Sequence, residues 1–386
     1  MNVYLDNNST TRIDPRVARS IEPYLHEVYG NPSNIHHFGR ECAEGLAQAR
    51  EQVAAFLGAS PDEIFFTSSG TESDNLAVKG VAAARKEKGN HIITSAIEHS
   101  AVRGSVRFLG RNGWQVTILP VDRHGLVDPD DVRRSITDKT VLVSVMLANN
   151  EIGTIEPVRE IAAVCRNAGV TCHTDAVAAA GKIEVDVQKL DVDLLTISGH
   201  KLHAPKGVGV LYVREGTPLE PLLHGGHQEK GLRPGTENVI GIVGMGAACE
   251  LLGQEWQSDA ARMQRLRDRL ERSILERVPE VRIEGHPEKR VPNVCLATVG
   301  YVEGEALILS LDLEGVAVAS GSACSAGEAG PSPTIEAIGV PDMFKNAPVR
   351  FSLGRDTTED EIDYAVEAFA RVVERLRSIS PVWKRH

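Results

Sequence analysis

The sequence predicts an α/β protein built on a mainly parallel sheet, followed by a smaller α+β unit. Three observations carry that prediction. Between about residues 60 and 213, β-rich runs at 63–68, 91–96, 115–121, 140–147, 169–176, 194–200 and 207–213 alternate with helical patterns such as 156–168. Alternation of this kind implies parallel strands with helices on both faces. Past residue 255 the texture changes. Met263, Leu266, Leu270 and Ile274 recur at helical spacing over 257–278, and shorter strands are expected around 293–299 and 316–319. Finally, Thr358 and Glu361 form a capping box ahead of Ile362, Val366, Phe369, Val373 and Leu376, the apolar stripe of a C-terminal helix. The change of pattern sets a large domain at 13–255 and a small one at 256–386.

Composition narrows the function classes. The chain has 386 residues, 42% of them hydrophobic, enough for a sizeable core. Its formal charge of -11 argues against nucleic acid or an anionic membrane as the main partner. Residues 1–8 carry no basic region followed by an apolar run, and no stretch approaches the ~20 apolar residues that cross a bilayer, so a cytoplasmic protein is expected. Six cysteines occur without a CxxC pair, as reduced thiols rather than a disulfide framework or zinc ribbon. Cys42, Cys165, Cys172, Cys249 and Cys295 lie among apolar neighbours and read as core residues.

Cys324 differs. It stands in SGSACSAGEAGPS (320–332), a Gly/Ser/Ala segment that reads as a mobile loop exposing a reactive thiol. Thr67–Ser73 is a strand-to-helix turn rich in hydroxyls and glycine, the makings of an anion cradle, although an ordinary helix cap has the same look. GIVGMG (241–246) has the wrong order for a dinucleotide fingerprint, and its glycines fit helix packing. Asp175 and Lys201 each end a predicted strand, where the ligand crevice of an open α/β sheet lies. Taken singly they are a loop acid and a surface lysine. Together they are what pyridoxal phosphate requires: an amine for covalent attachment and a carboxylate that keeps the ring nitrogen protonated. His200-x-x-His203 and His224-x-x-His227 invite a zinc reading, but neither has a helix-borne Glu or a Cys pair beside it, and no metal site is expected in the isolated protein.

From end to end the chain resembles the cysteine desulfurases of iron–sulfur cluster assembly, in the class V aminotransferase group. The matching motifs are YLDNNSTTR (4–12), YGNPSNIH (29–36), TSSGTES (67–73), IEHSAV (97–102), ANNEIGT (148–154), HTDAVAAAGK (173–182), SGHKLHAPKGVGVLYVR (198–214), GGHQEKGLRPGTEN (225–238), SGSACSAG (320–327) and VRFSLGR (349–355). GHKLHAPKGVG and the terminal SISPVW are most similar to the nitrogen-fixation type.

The resemblance implies a pyridoxal-phosphate fold of the aspartate-aminotransferase type, with the N-terminal arm 1–12 joined to the small domain. It implies that Lys201 carries the cofactor, Asp175 pairs with the ring nitrogen, and His99 stacks on the ring and exchanges protons. Gly70, Thr71, Ser198 and His200 would hold the phosphate, joined by Thr236 of a second subunit, so a homodimer is implied. Asn150 and Arg350 would bind the carboxylate of L-cysteine, with Asn7 and Asn8 lining the pocket. Cys324 would take the sulfur as a persulfide and pass it to an iron–sulfur scaffold protein, serving there as a cluster ligand on docking. One position departs from the pattern: Ala178 stands where the family has a glutamine contacting the cofactor's phenolic oxygen. The alternatives are a selenocysteine lyase or ordinary transaminase of the same group, or an inactive docking protein, which only Ala178 favours.

Overall fold

The computed structural model describes residues 1–321, 331–381 and 383. Its central sheet has seven strands, in the spatial order Ile64–Thr67, Gly209–Val213, Leu194–Ser198, Thr171–Asp175, Thr140–Ser144, His91–Ser95 and Gln115–Leu119. Gly209–Val213 runs antiparallel to both neighbours and the rest are parallel. All seven expected runs are strands. The interior ones are buried along their whole length, as Val/Ile-rich strands covered on both faces must be, while Gln115–Leu119 at the edge is partly exposed.

Because the strands are parallel, Thr67, Asp175 and Ser198 finish on one edge of the sheet. The helix after Thr67 begins at Gly70, four residues before the expected start near Asp74. Ser69 caps it, its hydroxyl accepting from the Glu72 N–H. The hydroxyls and glycine that read as a turn are therefore the cap and first turn themselves.

A larger departure concerns the helix expected over 257–278. It runs from Val239 to Arg277 without a break. Its first half packs in the core beneath the central sheet through Ile242, Met245, Ala248 and Leu252. Its second half packs in another core through Met263, Leu266, Leu270 and Ile274. The GIVGMG glycines lie on its first turns for a steric reason. A Cβ on Gly246 would come within 2.5 Å of the Ala49 Cα on the facing helix His37–Leu57.

The second core collects an antiparallel sheet in the order Pro348–Ser352, Val294–Val299, Val281–Glu284, with helices Gly304–Leu313 and Glu359–Ile379. Val3 and Leu5 of the N-terminal arm are buried in the same core, and Val3–Tyr4 pairs in parallel with Val316–Ala317. Thr358 and Glu361 make the expected capping box. Val281–Glu284 and Pro348–Ser352 escaped the periodicity, because one is four residues long and the other opens on proline.

The glycine packing has a measurable sign. Gly246→Ala should destabilise the protein by ~1–3 kcal/mol despite alanine's better helix propensity, since the added methyl meets backbone. Gly253→Ala, whose methyl would lie 4.0 Å from Phe56, should instead stabilise by up to ~1 kcal/mol. Urea unfolding midpoints of the two variants would check both.

Candidate active site

A cavity of about 180 Å³ opens where the strand ends meet the N-terminal arm. Asn8, Gly70, Thr71, His99, Asn150, Asp175, Ala178, Ser198, His200, Lys201 and Arg350 line it, bringing eleven of the expected residues into one chamber. Lys201 follows the strand Leu194–Ser198 in a short 3-10 turn. Its ammonium donates to the Asn8 carbonyl and, at 2.6 Å, to the Ser9 carbonyl. The arm is thus held against the sheet edge by the lysine itself.

Asp175 ends its strand buried, accepting the Val177 N–H at 2.9 Å. Burial raises its pKa, while the nearby His99 and Lys201 pull it down. His99 caps the helix Ser100–Arg111, its Nδ1 accepting the Ala101 N–H at 3.2 Å. That bond fixes the plane and tautomer of a ring lining the cavity. Burial, with Lys201 and Lys206 close by, lowers the pKa of His200 to about 4, so this imidazole is neutral at physiological pH and binds Thr10 Oγ1 at 3.2 Å.

The small residues form a receptor for an anion. Gly70 opens its helix against Ser198, where a Cβ would press on Val177 Cγ2 at 3.0 Å and Ser198 Cβ at 3.3 Å. Ser198 Oγ is buried with no hydrogen-bond partner among the described residues. An unpaired hydroxyl beside a helix N-terminus is a donor waiting for a ligand oxygen. With an amine on one side and a buried carboxylate on the other, the chamber fits an aromatic phosphate.

Arg350 is 2% exposed on the strand Pro348–Ser352. Its guanidinium donates to Asn150 O at 3.0 Å, Gly321 O at 2.6 Å, Asp6 Oδ1 at 2.9 Å and Ser9 Oγ at 2.9 Å. Asn8 adds a bond from its Nδ2 to Asn150 O at 3.1 Å. Two expected residues stand elsewhere. Asn7 turns its amide to Ser352 O at 3.0 Å and packs against Gly354, so it does not line this cavity. Thr236 is exposed and also outside it. Cys324 lies outside the described residues.

Six lining residues were missed: Ser9, Ser69, Val177, Met146 and two charged ones, Asp74 and Lys182. Asp74 is buried four residues after Gly70, on the same helix face, a spacing that could have found it. It comes within 4.8 Å of both His99 and Asp175, and burial with Asp175 nearby raises its pKa well above the carboxylate range. Lys182 closes the HTDAVAAAGK motif, buried and donating to Ala180 O at 3.1 Å and Lys201 O at 3.3 Å, its pKa lowered to about 8 by burial and by Lys201. Met146 completes the wall. Among the described residues, neither His-x-x-His pair joins a metal-capable cluster. That grouping is Asp74, His99 and Asp175.

The class-V aminotransferase model matches residues 3–365. A cysteine desulfurase IscS from Dictyoglomus turgidum is 48% identical over 385 residues, 99% of this chain and 98% of that protein. One from Methanosarcina thermophila is 45% identical over 380 residues, 98% and 94% of the two chains. The chain belongs to the cysteine desulfurases of the class-V aminotransferase family. Family members are pyridoxal-phosphate enzymes, and the α/β architecture described above is their fold type I. A solved NifS-like protein superposes with a TM-score of 0.92 at 38% identity, covering 97% of this chain and 100% of that one. SspA in complex with cysteine superposes with a TM-score of 0.82 at 34% identity, covering 92% and 100%.

Two buried acids behind the desulfurase chamber give a pH prediction. Burial pushes Glu98 and Glu156 up to about 8. Between the ordinary 4.5 and about 8 the folded protein keeps a proton on Glu156 that the unfolded chain has released. The stability tied to that proton is complete below 4.5 and lost as pH rises to about 8. Glu156→Gln keeps an acceptor for the Val127 N–H and cannot ionise. Its unfolding midpoint should match the parent near pH 4.5 and exceed it at pH 8, by roughly 1–3 kcal/mol.

Proposed function

We propose that this protein binds pyridoxal 5'-phosphate on Lys201 and moves the sulfur of L-cysteine onto Cys324, leaving L-alanine. The observation that carries the reading is the convergence of Lys201, Asp175, the Gly70–Ser198 cradle and the Asn150–Arg350 pair on one cavity. When bound, the cofactor supplies an electron sink for the carbon skeleton of the substrate.

The chain's own groups supply the rest. Gly70, Thr71 and Ser198 hold the phosphate, with the neutral His200 beside them. Asp175 keeps the ring nitrogen protonated, and His99 covers the ring face. Arg350 is already aimed into the chamber by its bonds to Asp6 and Ser9, and takes the substrate carboxylate with Asn150. Asn8 fixes Asn150 from the arm. Lys201 would also be the base that moves the Cα proton. The Cys324 thiolate then attacks the substrate sulfur. An S–S bond forms, the C–S bond breaks, and its electron pair stays with carbon, which takes up a proton to become the methyl of alanine.

The partner readings follow from chemistry. A persulfide is an activated sulfur for a second thiol, which suits an iron–sulfur scaffold protein as acceptor, in general supply or in nitrogen fixation. A homodimer is supported by two segments rich in exposed apolar residues, with Leu25, Tyr29 and Ile35 on one and Leu222 and Leu223 on the other. In that arrangement Thr236 reaches the partner subunit's phosphate. No described helix is long and apolar enough to cross a membrane. Five buried free thiols suit a reducing compartment such as the cytoplasm. Ala178 presents only a methyl group to the chamber, so the phenolic oxygen receives no side-chain amide there.

Two variants test the assignment. Lys201→Ala should lose the link that borohydride reduction makes permanent, together with nearly all alanine production. A reduced, labelled peptide containing Lys182 or Lys206 would move the attachment site. Cys324→Ala should still bind the cofactor and change its visible spectrum with L-cysteine, yet yield no protein persulfide by mass spectrometry. Sulfur release at the parental rate would remove Cys324 from the mechanism.

A further inference from the structure

The motif ANNEIGT contains an acid that the reading above leaves unused. Glu151 is 5% exposed, next to Asn150 and directly beside the chamber. Its carboxylate accepts from Ser332 Oγ at 2.6 Å and from Thr334 Oγ1 at 3.1 Å. Ser332 also caps the helix Pro333–Ala337, so the hydroxyl ties that helix start to Glu151. On the other side stands Gly321, whose φ of +97° and missing Cβ let its backbone lie against Glu151 Oε2. A Cβ there would be 3.0 Å from that oxygen. Gly321 O is held in turn by Arg350. Residues 321 and 332 thus meet at one buried carboxylate.

Glu151 is itself rigidly placed. Asn149 Oδ1 accepts the N–H groups of Glu151 at 2.8 Å and Ile152 at 3.0 Å. The Asn149 amide donates to Ile97 O at 2.9 Å and Thr334 Oγ1 at 3.4 Å. The turn that presents Asn150 to the cavity therefore also presents Glu151 to the two chain ends.

We infer that Glu151 is a positioning residue for sulfur transfer: its carboxylate clamps together the two ends, Gly321 and Ser332, of the segment that carries Cys324. The inference rests on the reading of Cys324 as sulfur acceptor. The flanking residues make it physical: Gly321 O is held by Arg350, the group proposed to bind the substrate carboxylate, while Ser332 and Thr334 are held by Glu151. Closing a loop of this length costs entropy, and ends that are already joined have spent it before the reaction begins. Release of the clamp lowers the effective concentration of the thiol at the substrate. It leaves substrate binding, which belongs to Arg350 and Asn150, in place.

The test uses the holoenzyme with L-cysteine and two separate readouts. Spectral titration gives the affinity for cysteine, and quenched single-turnover mass spectrometry gives the rate of persulfide formation on Cys324. Glu151→Ala should bind cysteine within about twofold of the parent while persulfide formation falls ~10-fold or more, as expected for two lost bonds to a charged acceptor. Glu151→Gln, which keeps an acceptor for one hydroxyl, should lie between the two. Ser332→Ala leaves Glu151 in place and should show a smaller loss of the same kind, which keeps the test alive if Glu151→Ala does not fold. An unchanged persulfide rate overturns the inference, as does a parallel loss of affinity and rate. Absence of persulfide on Cys324 in the parent would instead bring down the function proposed above, and the clamp with it.

Discussion

The arrangement turns on the buried guanidinium of Arg350. A cation that is 2% exposed is tolerable only if acceptors gather around it, and here both terminal nitrogens are paired, while Nε has no partner among the described residues. Here the acceptors come from Asp6 and Ser9 of the arm, Asn150 of the central sheet's loops, and Gly321 of the second core. Three separate stretches of chain must converge before the charge can be buried. Removing a partner from such a site costs on the order of 3–5 kcal/mol, so the convergence is enforced by energy rather than by shape alone. The same charge is the one proposed to take the substrate carboxylate. Fold and recognition draw on one group.

The arm is held a second time by Lys201, which donates to the carbonyls of Asn8 and Ser9. Lysine and arginine grip the same few residues from opposite sides of the chamber. Both are charges that must find acceptors in a nearly dry place: Lys201 takes the carbonyls of Asn8 and Ser9, and Arg350 takes the Asp6 carboxylate and the Ser9 hydroxyl. A ligand that engages either cation competes with the arm for it. The short segment Asp6–Thr10 is thus both a wall of the site and a participant in its charge balance.

Much of this was legible in the sequence where local rules suffice. Interior strands such as Thr140–Ser144 and Leu194–Ser198 announce themselves by unbroken β-branched and leucine content, since both faces are covered. The cap at Thr358 is spelled out in four residues. Lys201 and Asp175 could be paired because parallel strands deliver their ends to one edge. What stayed hidden depends on partners remote in the chain. The GIVGMG glycines read as helix-packing residues, but the partners that demand Gly244 and Gly246, Pro205 and Ala49, are remote in the chain. Asp74, Lys182 and Glu151 are ordinary charged residues by type, and only burial beside Asp175, Lys201 and Ser332 gives them meaning. Asn7 was misplaced for the converse reason. Two adjacent asparagines look equivalent, but residues 7–9 form a turn that takes the Asn7 amide to Ser352 O and the Asn8 amide to Asn150 O.

The unbroken helix Val239–Arg277 has a consequence for how this chain tolerates change in length. It is anchored in one core by Leu252 and in the other by Met263. A flexible linker would absorb an extra residue, but a helix transmits it. One inserted residue near Glu255 turns everything beyond it by ~100° and advances it by ~1.5 Å. The strand bearing Arg350 would then swing away from the arm and from Asn150, and the chamber would lose its cation without any lining residue having been touched. Between the two cores, a change of length is ruinous.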